Sequence, residues 1–195
     1  MSSKRERTRL TILQAAWDRL SKPDDPARLE DIAADADVTR QSVYLHFGSR
    51  TGLLIALVDH MDEVLELNKR IAELRALTDP VVAFEQTLRL MATYEPKIHG
   101  VAMALFRLAP TDADAAAALD DRMKLRLRGV TDVLRAVEEQ GKLSPDWTAK
   151  QAAEACWEAG HPASYELLVV ERGWSVKTYE RWLWHLGRSL LAPGT

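Results

Sequence analysis

Apolar residues recur along this chain every three to four positions, the spacing that lines one face of a helix, and no stretch sustains the alternation of a half-buried strand. The pattern predicts an all-α protein. A first helix is expected over about Lys4 to Leu20, with Leu13, Ala16, Trp17 and Leu20 on one stripe, and "SKPDDP" stops it. Asp25 is placed to cap the next helix with Pro26 in its first turn, and Leu29, Ile32, Ala33 and Ala36 fall on its apolar side. Beyond Ser49 one long amphipathic pattern runs through Leu54, Leu57, Met61, Val64, Ile71 and Leu74. Asp79-Pro80 opens a helix carrying Val81, Phe84, Leu88 and Met91; Tyr94-Glu95-Pro96 is expected to end it before a shorter helix from about Lys97 to Leu108. Thr111 is then placed to cap a helix reaching about Gly141, with Leu119, Met123, Leu127, Val130, Leu134 and Val137 in register. Within it "RMKLRLR" alternates like a strand, but its helical flanks override that. Two last helices are expected, about Thr148 to Glu171 and Val176 to Leu191, separated by "RGWS".

One stretch stands apart. In "LEDIAADADVTRQSVYLHF" two short helices meet at Asp37-Val38-Thr39, and Ile32, Ala33, Val38, Val43 and Phe47 have the spacing to close a small core. The small Ala33 and Ala36 let the two helices approach, which is the grammar of a helix-turn-helix. The many donors of "TRQSVYLH" must then face outward. Thr39 is placed to cap the second of these helices, and Arg40, Gln41 and Ser42 at its start would point at base edges if it enters a major groove. Tyr44 and His46 suit phosphates or base edges, and Arg50, at the next helix N-terminus, adds a cation where N–H groups already favour a phosphate.

Charge sharpens this picture. The 195 residues carry a formal net charge of −3, so nucleic acid cannot be held by bulk charge and a basic patch must be local. Residues 1–22 hold six cations against Glu6 and Asp18, a balance of +4, whereas residues 24–37 hold Arg28 against six acids, a balance of −5. The basic footprint is therefore the N-terminal arm plus the third helix, with Glu30 and Asp31 repelling phosphate beside it. Cys156 is the single cysteine, so it reads as a small buried hydrophobe in a reducing compartment. No apolar run approaches the ~20 residues that span a bilayer, and the polar start lacks the core of a signal peptide, so a cytoplasmic protein is expected.

"TILQAAWDRL", "LEDIAADADVT" and "SVYLHFGSRTGLLIALVD" together make the chain resemble the TetR family of one-component transcriptional repressors. The resemblance implies a DNA-binding domain over residues 1–50, a helical effector-binding and dimerisation domain over residues 51–195, a homodimer on operator DNA, and release of DNA when a small molecule binds. It places Arg40, Gln41 and Ser42 at base-reading positions and Thr39, Tyr44, His46 and Arg50 at phosphate or mixed positions. Three residues depart from the family pattern: Asp37 replaces a turn glycine, Leu45 a common Tyr or His, and Arg28 a capping Thr or Ser.

The C-terminal region has no comparable motif. Ala163, Leu167, Tyr179, Trp182, Leu183, Leu186 and Leu190 form a broad apolar stripe on the last helices that a second copy would naturally cover, and they are the expected dimer interface. Met91, Tyr94, His99, Met103, Phe106, Arg107, Trp157, His161 and Tyr165 are the polar or aromatic positions among apolar stripes, and therefore the candidate effector site. Their character favours an apolar or aromatic effector, with Arg107 keeping an anion open; Pro162 is expected to kink its helix after His161. No HExxH, glycine-rich phosphate loop or nucleophile elbow is visible, so no catalytic residue, metal or cofactor is expected. The alternative reading is an all-helical protein–protein adaptor with a vestigial helix-turn-helix, supported by its acidic second helix.

Overall fold

The structure, a computed structural model, describes residues 4–22 and 25–194, so Pro23 and Asp24 of the first breaker lie outside the described residues. The chain is all-α, and two compact units divide it: Met1–Leu67 with Ile98–Asp120, and Asn68–Lys97 with Asp121–Thr195. This division runs across the expected boundary at residue 50 because the helix that follows residue 50 packs with the N-terminal ones.

In the first unit, α1 (Lys4–Leu20) buries Ile12, Leu13, Ala15, Ala16 and Leu20. The short α2 (Leu29–Asp35) buries Leu29, Ile32 and Ala33, and α3 (Arg40–Phe47) buries Val43. Next, α4 (Arg50–Val64) buries Leu53, Leu54, Leu57 and Met61. These close one core with Val101, Ala104, Leu105 and Ala115, and Val38 and Phe47 lean on it half-buried. A Cβ at Gly100 would overlap the Leu20 carbonyl, so only glycine permits this approach to the end of α1. The expected cap at Asp25 is corrected: its carboxylate instead accepts from Ala27 N–H at 2.8 Å, and α2 starts later, behind an Arg28 that offers no side-chain cap. Glu30 and Asp31 in the first turn supply the negative charge that this helix end favours.

The single amphipathic pattern after Ser49 is in fact two helices. Glu66 takes a left-handed φ of 52° and separates α4 from α5 (Leu67–Arg75), which buries none of its residues. Conversely, the expected break at Tyr94-Glu95-Pro96 is absent, since α6 runs unbroken from Pro80 to Leu108 with Pro96 inside it. The ring of Pro96 faces solvent, and the buried residues before and after it outweigh the lost hydrogen bond. The start of α7 (Ala113–Glu139) is set by Asp112 rather than Thr111: the Asp112 carboxylate accepts from Asp114 and Ala115 N–H, each at 3.0 Å, and also accepts a hydrogen bond from the Thr51 hydroxyl.

In the second unit, α8 (Ala149–Ala159) opens with a reciprocal capping box between Thr148 and Gln151. The expected long helix to Glu171 is broken at Gly160. His161 is extended and caps α9 (Pro162–Tyr165) with its ring nitrogen, and a π-helical segment, Glu166–Glu171, continues the chain. The last helix, α10 (Val176–Ser189), buries Tyr179, Leu183 and Gly187, and Gly187 meets Phe84 and Leu88 of α6. An isolated antiparallel bridge between Leu143 and Leu191 ties down the tail.

Thr51, then the N–H groups of Ala115 and Asp114, hold the Asp112 carboxyl below its ordinary value, against the opposing effect of burial. Because the folded value is the lower one, this contribution to stability is complete above the unfolded value near 3.8 and fades as pH falls through the folded value. Asp112→Asn is expected to lower the thermal midpoint at pH 7, and the gap from the parent to narrow in melts taken below about pH 4.

Candidate nucleic-acid interface and helical-unit interior

Two turns frame α3. The chain leaves α2 through Ala36 and a left-handed Asp37 (φ 52°), with Val38 N–H donating to the Ala33 carbonyl at 2.9 Å. Asp tolerates this conformation, which explains how it replaces a turn glycine. Thr39 then caps α3 by accepting from Ser42 N–H at 3.1 Å, and Gly48, at φ 75°, ends the helix before Ser49 caps α4. With Val43 turned inward, Arg40, Gln41, Tyr44 and Leu45 stand exposed, and Ser42 and His46 are half-buried.

Arg40 is already engaged on this surface. One terminal guanidinium nitrogen lies 2.7 Å from the Glu30 carboxylate, the other donates to the Tyr44 hydroxyl at 3.1 Å, and the group sits 5.5 Å from the centre of the Tyr44 ring. Arg50 donates to the Pro26 carbonyl at 2.9 Å, so it also braces the loop before α2. Arg9 lies 5.6 Å from the Phe47 ring centre and links the N-terminal arm to the end of α3. Arg19, counted above in the basic arm, is instead held by Asp25, Asp31 and Asp35 at 3.3, 3.9 and 2.7 Å. The usable positive charge is therefore narrower than composition suggests: Lys4, Arg5 and Arg7 remain exposed on α1. Leu45, 74% exposed, is the most exposed large hydrophobic residue of this helix and was not among the expected site residues.

The nine candidate effector residues divide between the units. His99, Met103, Phe106 and Arg107 fall in the first, with Arg107 exposed and the others half-buried. Met91, Tyr94, Trp157, His161 and Tyr165 fall in the second, where an ion pair that sequence reasoning missed occupies the interior. Arg126 of α7 meets Glu95 of α6 at 3.0 Å, and Glu95 is only 1% exposed. The same guanidinium donates to the Gly160 carbonyl at the end of α8, where a helix terminus favours a cation. Its Nε is buried and makes no hydrogen bond among the described residues. A signal for the pair was present: Glu95 lies four positions after Met91, and Arg126 four before Val130, both on stripes that are otherwise buried.

Aromatic groups wall this pair. Trp157 donates to the Met123 carbonyl at 3.2 Å and packs 5.2 Å from His161, and Tyr179 donates to the Ala159 carbonyl at 3.0 Å and packs 5.3 Å from Tyr165. Burial, aided by the Arg126 charge, holds the His161 imidazole below its ordinary value against the pull of Glu158 and Glu95. A neutral His161 fits its role as acceptor from Ala163 N–H at 3.1 Å. Burial and then Glu95 raise the Tyr165 phenol. The Cys156 thiol is pushed up to about 12 by burial alone, which fits an inert core residue.

The expected dimer stripe is divided by the fold. Tyr179, Leu183 and Leu190 are buried in the chain's own core, which corrects their reading as surface residues. Ala163, Leu167 and Leu186 are exposed, together with Val170, and Trp182 is half-buried. A shallow apolar cleft of about 170 Å³, lined by Leu88, Trp147, Cys156, Leu183, Leu186 and Leu190, opens on this side of α8 and α10.

The sequence profile described as "Bacterial regulatory proteins, tetR family" matches residues 12–57. The HTH-type transcriptional repressor LfrR of Mycolicibacterium smegmatis is 32% identical over 180 residues, covering 84% of this chain and 82% of LfrR. Among solved structures, a transcriptional regulator from Saccharomonospora viridis in complex with choline aligns with a TM-score of 0.80 at 17% identity, over 95% of this chain and 97% of that one. NalD, the secondary repressor of the MexAB-OprM multidrug efflux pump in Pseudomonas aeruginosa, aligns with a TM-score of 0.65 at 20% identity, over 98% and 99% of the two chains.

Removing one member of a buried ion pair costs far more than replacing both by apolar groups. Arg126→Met is expected to reduce unfolding free energy by about 3–5 kcal/mol in urea denaturation. The double variant Arg126→Met with Glu95→Leu is expected to recover most of that loss; equal losses in both variants would contradict the pairing.

Proposed function

Because the chain belongs to the TetR family of bacterial regulatory proteins, we propose that its first 50 residues read operator DNA through α3 and that residues 51–195 bind the effector and the second subunit. The protein is a ligand-responsive transcription regulator rather than an enzyme, and the adaptor alternative is not favoured. One observation supports the DNA-reading assignment above the rest: α3 is capped by Thr39, turns only Val43 wholly into the core, and exposes Arg40 and Gln41 at its first turn. In a helix-turn-helix these N-terminal positions face base edges, while Tyr44, His46 and Arg50 lie further along, suited to the backbone.

The regulator acts as a repressor in this reading, bound to a palindromic operator as a homodimer through the exposed apolar residues of the last helices, Leu167 and Leu186 foremost. The effector is a small molecule of apolar or aromatic character. Met91, Trp157, His161 and Tyr165 supply apolar and aromatic wall around Arg126, and the buried Nε of Arg126 supplies a donor for one acceptor atom. The similarly folded regulator from Saccharomonospora viridis in complex with choline is consistent with a small organic effector here. Release requires that the effector prefer the DNA-incompetent arrangement, and moving a 1:99 population to 99:1 takes about 5.5 kcal/mol of differential affinity.

The test is fluorescence anisotropy on an inverted repeat taken from the intergenic DNA beside the coding gene, with a random duplex of equal length for comparison. Arg40→Ala is expected to cost about 1–3 kcal/mol on the operator and to relax preference at one base pair per half-site. Arg50→Ala is expected to weaken operator and random duplex alike and to reduce the salt slope by about one phosphate. Equal losses on both duplexes for Arg40→Ala would contradict its base-reading role.

A further inference from the structure

Among the four acids of α2 and its entry loop whose surroundings are described, three surround Arg19: Asp25, Asp31 and Asp35. Glu30 turns the other way. Its carboxylate takes one terminal nitrogen of Arg40 at 2.7 Å, and the Tyr44 hydroxyl accepts from the other at 3.1 Å. Those two nitrogens form the fork that would meet guanine O6 and N7, so the reading edge of Arg40 is satisfied within the protein before DNA arrives. The side chains of Arg40 and Glu30 are 55% and 57% exposed. An ion pair this exposed is weak and salt-screened, which makes it displaceable rather than locking.

We propose that Glu30 is a specificity-determining residue that competes with DNA for Arg40; the proposal rests on the DNA-reading assignment above. On a random duplex, Arg40 gains a phosphate only by leaving Glu30 as an uncompensated carboxylate beside a polyanion, so the exchange brings little. On an operator, a guanine in register offers two acceptors fixed in the fork geometry of the guanidinium, and these win Arg40 from Glu30. The carboxylate therefore weakens non-specific binding more than specific binding, which is specificity obtained by repulsion.

Glu30→Gln keeps the shape and removes the charge. In anisotropy titrations across salt, this variant is expected to bind the random duplex more tightly with little change on the operator, so the specificity ratio falls roughly three- to tenfold. Its salt slope on the random duplex is expected to steepen by about one phosphate, a readout that a purely structural role would not move. Asp31→Asn removes a charge from the same helix without touching Arg40 and is expected to leave the ratio near the parent value. In an Arg40→Ala background, Glu30→Gln is expected to have little further effect on the ratio. A selective parent whose ratio is unchanged by Glu30→Gln, or equally lowered by Asp31→Asn, overturns the role of Glu30 alone. A parent that does not discriminate operator from random duplex overturns the DNA-reading assignment, and this inference with it.

Discussion

The left-handed turn at Asp37 is the constraint on which the exposed surface of α3 depends. With φ at 52° and Val38 N–H closed onto the Ala33 carbonyl, α2 ends at Asp35, two residues after the buried Ala33. Val38 then leads straight to Thr39, which caps a new helix. Any slip here would rotate α3 by about 100° per residue about its axis, exchanging Val43 for a polar neighbour in the core. The identity of the exposed side chains is thus settled by a backbone conformation that few residues tolerate. The small Ala33 and Ala36 beneath the turn make the close packing possible.

Charge in the first unit is held largely in internal ion pairs. An acidic chain that works on a polyanion has to keep its acids from ruining the contact. Here the acids around α2 are paired with cations of the protein itself: Arg19 gathers Asp25, Asp31 and Asp35, and Arg40 meets Glu30. The pairing leaves the exposed Lys4, Arg5 and Arg7 as cations near the same unit, although the N-terminus of a helix disfavours them there. If α3 reads DNA as proposed, a smaller net attraction and a sharper dependence on the correct bases are expected from the same arrangement.

Much of the first unit was legible in the sequence because its signals are local. The stripe of α1, the junction at Asp37-Val38-Thr39 and the cap at Thr39 each involve residues within a few positions of one another. The misreadings arose where distant packing decides. Pro96 reads as a helix end, yet buried residues on both sides carry α6 through it. The stripe through Val64 and Ile71 reads as one helix, yet Glu66 breaks it. Thr111 and Asp112 are both cap-forming types, and the hydroxyl of Thr51, far away in sequence, adds to the preference for Asp112. The Arg126–Glu95 pair was overlooked because a charge on an apolar stripe suggests a surface, and only the partner on another helix shows otherwise. The apolar stripe of the last helices is divided by the same distant packing: Leu167 and Leu186 face outward, while Tyr179, Leu183 and Leu190 are taken into the chain's own core.

Operator recognition as proposed requires α3 to read DNA as one of a symmetric pair. Selection of bound duplexes from a random-sequence pool by the full chain measures this without any assumed operator. The expected result is enrichment of an inverted repeat whose half-sites are centred one helical turn apart or a multiple of it, about 34–36 Å per turn, with guanine fixed at one position in each half. Recovery of no enriched sequence, or of a single asymmetric site, would contradict it.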